Sequence, residues 1–132
     1  FPRAYTVIST GMLSGVEQLI APDTASIPNA GEMKLRIIHA APATGAVDVY
    51  VTDPTVSLIG ATPLFEDVPF RGNTEYIAIP VGNLRVRITI AGTTTTLVDL
   101  TQLFGERMMR TVVAADAPGG GLPLNGLLLV DY

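Results

Sequence analysis

Apolar and polar positions alternate with a period of two along most of the chain, the pattern of half-buried β-strands. Leu35, Ile37 and His39 fall on one face while Lys34 and Arg36 fall on the other. After a turn rich in Ala, Pro and Gly, Val47, Val49 and Val51 alternate with Asp48, Tyr50 and Thr52. From Met33 onward the same reading predicts seven or eight short strands, near 33–40, 46–52, 63–68, 74–80, 83–91, 94–100, 107–116 and 124–131, at spacings typical of sandwiches and barrels. The cleanest strand places Leu84, Val86, Ile88 and Ile90 toward a core and Arg85, Arg87 and Thr89 toward water. Ala91-Gly92 turns the chain into a threonine-rich partner, Gln102 to Met108 reads as a corner, and Pro118 to Pro123, with three glycines, reads as a loop. The last segment, Gly126 to Tyr132, is apolar on both faces and so needs cover on both sides.

The first 32 residues follow a different pattern. Ala4 to Thr10 has strong strand propensity, Gly11 to Gly15 interrupts it, and Val16 to Ile20 suits a short helical turn or a second strand. Ala21 to Gly31, with two prolines, reads as an extended linker. The expected organisation is an N-terminal extension over 1–32 and a β-sandwich domain over 33–132. Such an apolar strand has two destinations, its own sheet edge or the edge of a neighbouring subunit.

Two blocks carry a family resemblance. His39-Ala40-Ala41-Pro42 followed by Ala46-Val47-Asp48-Val49-Tyr50-Val51 resembles the signature of the domain of unknown function 4397, and Leu64 to Phe70, Tyr76 to Gly82 and Leu84 to Thr89 look like that family's later segments. The likeness reads from Met33 to Tyr132, departs at Ala41 where the family usually has serine, and does not extend to Phe1 to Glu32. It implies an all-β, immunoglobulin-like antiparallel β-sandwich exported from the cell, with no assigned activity and no catalytic residues to carry over.

Composition narrows the classes. The 132 residues are 48% hydrophobic and only 15% charged, with a mean hydropathy of +0.42, which suits apolar surface kept for a partner. A net charge of −4 and dispersed basic residues argue against a nucleic-acid partner. The absence of cysteine excludes disulfides, thiol catalysis and thiolate metal sites. No apolar run approaches the roughly 20 residues of a transmembrane helix. A start at Phe1 suits a processed mature chain, and equally a boundary set elsewhere, so an extracellular or cell-surface location is the expectation.

The candidate chemistry is sparse. His39, the only histidine, shares the face of Leu35 and Ile37, so it reads as a buried ring that pins the first turn through a carbonyl or through Asp48. No motif marks a nucleophile for it to activate. The carboxylates Asp48, Asp53, Glu66, Asp67, Asp99 and Asp116 show no acid/base spacing, and adjacent Glu66 and Asp67 point to opposite faces unless a bulge intervenes. A calcium ion shared by Asp53 and Asp116 has oxygen ligands but no calcium-loop motif behind it. Gly119 to Gly121 lacks the lysine of a phosphate loop. Tyr50 is the candidate ligand platform, although the absence of tryptophan removes the commonest sugar-stacking residue.

These readings lead to a non-catalytic exported structural or adhesive protein without cofactors. It is expected to form a homo-oligomer or polymer by strand exchange through Ala4, Tyr5, Thr6, Val7 and Ile8. The alternative is a monomeric module that binds a glycan or small ligand at Tyr50.

Overall fold

The computed structural model describes residues 5–10, 17–22, 26–42, 44–116 and 124–130, with the backbone alone described for 17–22 and 130. Ala4 of the expected assembly strand, the glycine loop at 119–121 and Tyr132 lie outside the described residues. The fold is an all-β sandwich, with no helix among the described residues. The strands are β1 (Tyr5–Thr10), β2 (Glu17–Pro22), β3 (Glu32–Ala40), β4 (Val47–Thr52), β5 (Phe65–Val68), β6 (Ile77–Pro80), β7 (Gly82–Ile90), β8 (Thr96–Phe104), β9 (Met109–Ala115) and β10 (Asn125–Val130).

Eight of these strands form two four-stranded sheets, ordered β10-β9-β3-β6 and β5-β4-β7-β8. All neighbours are antiparallel except β3 and β9, which run parallel with Ile37 beside Val112. A parallel pair cannot be closed by a tight turn, and here the intervening chain builds the whole second sheet before returning. Between the sheets, Met33, Leu35 and Ile37 meet Val47, Val49, Val86, Ile88 and Val112 in one continuous core. Fully burying each such aliphatic side chain is worth roughly 1.5–3 kcal/mol, so the period-two pattern is what selects this face.

The outer faces depart from the sequence expectation. Arg87 and Thr89, expected to face water, are 5% and 0% exposed. The chain between β4 and β5 crosses over Arg87, whose Nη2 donates to Val56 O at 2.6 Å and to Thr52 Oγ1 at 2.7 Å. Hydrogen-bond acceptors carried by a loop make the burial of a guanidinium tolerable.

The outer face of the other sheet is covered by the N-terminal segment. β1 and β2 pair antiparallel as a separate two-stranded sheet, so the second strand is realised and the helical turn is not. The hairpin lies on the face of its own sandwich, a destination outside the two edges considered above. Thr6, Ile8 and Thr10 supply the contacts. Ile8 packs on Ile38, Ala40 and Val113, and Thr10 Oγ1 donates to Ala40 O at 2.6 Å. The physical reason is that Ile38 and Val113 make this outer face apolar as well, and an apolar face requires cover. At the far end, β8 continues to the buried Phe104, and the expected corner tightens to the turn Gly105–Met108.

Candidate functional site

His39, the penultimate residue of β3, lies on the core side and is fully buried. Its Nδ1 accepts the Ala41 N–H at 3.3 Å, which fixes the proton on Nε2, and Nε2 donates to Gly45 O at 2.9 Å. Thr44 Oγ1 lies 3.3 Å from the same Nε2, and Phe70 meets the ring edge-on at 6.0 Å. Loss of solvation lowers the imidazole pKa below its ordinary 6.5, against smaller opposing effects of the Gly45 carbonyl and of Asp116. The ring therefore spans the 41–45 turn in its neutral form, and no nitrogen is left over for a substrate.

Asp48 takes the other role open in the sequence, away from His39. Its Oδ1 accepts the Asp67 N–H and its Oδ2 accepts the Gly92 N–H, both at 2.9 Å. One carboxylate thus ties β4 to the edge strand β5 and to the β7–β8 turn. The β5 end of this node is a bulge: Val47 pairs with Val68 and Val49 with Phe65, so Glu66 and Asp67 together oppose Asp48. Asp67 has φ 50°, and Gly92 sits at φ 76° where a side chain would be strained. The bulge turns Glu66 and Asp67 outward together, where a regular strand would separate them.

These residues line a groove of about 750 Å³ on the outer face of the second sheet. Asp48, Glu66 and Asp67 contribute acid, Gly92 to Thr94 close one side, and Leu58, Ile59 and Pro63 form an apolar wall. Tyr50 also lines it but is only 7% exposed, so it offers no open ring face for stacking. Among the described residues no three His, Cys, Asp or Glu side chains converge as a metal-ligand set. Asp53 and Asp116 lie at opposite ends of the sandwich, because Asp116 follows β9, parallel to β3, whereas Asp53 follows β4 on its return. They cannot share a calcium ion.

The N-terminal hairpin forms the second candidate surface. Thr6, Ile8 and Thr10 face the sandwich, whereas Tyr5 and Val7 are 51% and 58% exposed. Beneath it Arg36 is 1% exposed, with Nε donating to Thr111 Oγ1 at 2.8 Å, Nη2 donating to Thr6 Oγ1 at 3.0 Å, and its guanidinium carbon 4.6 Å from the centre of the Tyr76 ring. Sequence reasoning missed this arginine because strand alternation assigns it to the outer face without saying what lies over that face. The pairing of Arg36 with Thr111 on neighbouring strands becomes visible only once β3 and β9 are known to be adjacent. Ile59 was also missed, its signal being the Leu58-Ile59 pair in a loop bounded by Pro54 and Pro63.

No curated protein matches the chain. A family model does match residues 2–50, a span that takes in β1, β2, β3 and most of β4. It therefore includes the N-terminal hairpin, which the motif likeness had placed outside the family's pattern, and it ends at Tyr50. Over these residues the chain is similar to the family described as Domain of unknown function (DUF4397).

Proposed function

We propose that this chain is a non-catalytic structural or adhesive module of the cell exterior, which self-associates by exchanging its N-terminal hairpin between copies. One observation carries this reading: among the described residues β1 and β2 pair only with each other, in a two-stranded sheet separate from both sheets of the sandwich. The hairpin is held through side chains such as Ile8, Thr6 and Thr10, so it can leave without breaking a strand ladder of the sandwich. The face it covers, with Ile38, Val113 and the Arg36 guanidinium, cannot remain open to water at low cost. The same hairpin from another copy satisfies identical groups, the condition for domain exchange. A pair of full-length chains, wild type and Ile8→Asp, tests this by sedimentation. Wild type is expected to form concentration-dependent oligomers and Ile8→Asp to form them markedly more weakly, whereas equal oligomerisation of both contradicts the reading.

The glycan-binding alternative has the groove in its favour and the burial of Tyr50 against it. Saturable binding of an oligosaccharide that is lost on Tyr50→Ala would support it.

A further inference from the structure

The groove on the second sheet carries charge that the rest of the fold leaves uncompensated. Both oxygens of Asp48 are occupied by backbone N–H groups, whereas Glu66 and Asp67 are exposed and form no ion pair among the described residues. No basic side chain is found among the residues that line the groove. Ile59, 86% exposed, stands beside these carboxylates with Leu58 and Pro63. A concave surface with free carboxylates and an apolar wall suits a cation carried on an apolar stem.

Such a cation sits at the opposite end of the same sandwich. Arg107, in the β8–β9 turn, is exposed, and its guanidinium takes part in no hydrogen bond or ion pair among the described residues. Leu103, at the end of β8, is 73% exposed and supplies an apolar neighbour. Arg107 holds φ 60°, as Asp67 in the groove holds φ 50°. β7 runs its length between the two ends, and its nine residues span about 30 Å at roughly 3.3 Å per residue. Arg107 is thus too far away to enter its own groove. Complementary groups at opposite ends of one molecule meet head to tail, a contact that builds a ring where the rotation closes and an open filament where it does not.

We propose that the groove formed by Glu66, Asp67 and Ile59 receives the Arg107 turn of a second copy of this chain. The inference rests on the reading of the protein as a self-associating module and adds a contact independent of the hairpin. Because the contact joins exposed opposite charges, it weakens with salt. Full-length Arg107→Glu and the double variant Glu66→Arg/Asp67→Arg are each expected to associate about tenfold or more weakly than wild type at low salt, measured by sedimentation. An equimolar mixture of the two is expected to recover association, because the reversed turn then meets the reversed groove. Circular dichroism checks folding, and Glu66→Gln/Asp67→Asn replaces the double reversal should that fail to fold. Wild-type association in either charge variant, or a mixture no stronger than its components, overturns the proposal. Association weakened in Ile8→Asp but unchanged in both charge variants preserves hairpin exchange and overturns only the groove contact. A wild-type chain that stays monomeric while its groove binds a neutral oligosaccharide overturns both.

Discussion

At the scale of single residues, the polar groups buried in this protein act as clamps on its turns. His39 has its lowered pKa because the folded chain removes the ring from water. The unfolded chain, with an ordinary value near 6.5, therefore binds a proton that the folded chain resists. Stability from this residue is complete above about 6.5 and is lost as pH falls from there through the lowered folded value. Thermal midpoints measured between pH 7.5 and pH 5.5, about one unit either side of the ordinary value, are expected to fall on acidification, and His39→Asn is expected to flatten that slope. Asp99, held below its ordinary 3.8 by hydrogen bonding to Arg85, stays ionised across this range and contributes nothing to the slope. Asp48 acts through geometry. Replacing it with Ala removes two charge-assisted hydrogen bonds and leaves the Asp67 and Gly92 amides without their acceptor, at an expected cost of about 2–4 kcal/mol in denaturant unfolding.

At the scale of elements, strand alternation was legible and the cover over it was not. All eight strands of the sandwich were readable, β4 and β7 most sharply from Val, Ile and Leu at every second position, because burial on one face imposes that period, and the others from short apolar runs between turn residues. The bulge at Glu66 and Asp67 was open as an alternative, but only the register against Val47 and Val49 decides it. Arg36, Arg87 and Thr89 were assigned to the outer faces and assumed wet, since a single strand's sequence does not record what a distant hairpin or loop lays over it. One contact between the two sheets is sharp enough to test. A Cβ added at Gly126 in β10 would stand 2.5 Å from Val98 Cγ1 in β8, and a β-branched valine has little freedom to move aside. Gly126→Ala is expected to destabilise the fold by about 1–3 kcal/mol, measured by denaturant unfolding. Arg36→Ala belongs to the same scale. Hydrogen exchange in this variant is expected to quicken in β1 while the β4–β7 ladder stays protected, because the lost contacts join the hairpin to the sandwich.

At the scale of the whole molecule, the sandwich has two outer faces, each covered by a different device. A loop covers Arg87, and a hairpin of its own two-stranded sheet covers Arg36, Ile38 and Val113. The loop leads directly from β4 to β5 within one sheet, whereas the two strands of the hairpin pair with each other and, among the described residues, with no strand of the sandwich. That difference is the basis for assigning exchange to the hairpin. The absence of native cysteine makes the decisive measurement simple. One population carries Ile8→Cys and a second carries Val113→Cys, and the two are mixed, incubated and treated with a short thiol crosslinker. Hairpin exchange predicts a covalent heterodimer that joins the two populations, since Ile8 of one chain then lies on the Val113 face of the other. Failure to form that heterodimer, while a chain carrying both substitutions crosslinks only within itself, would contradict it.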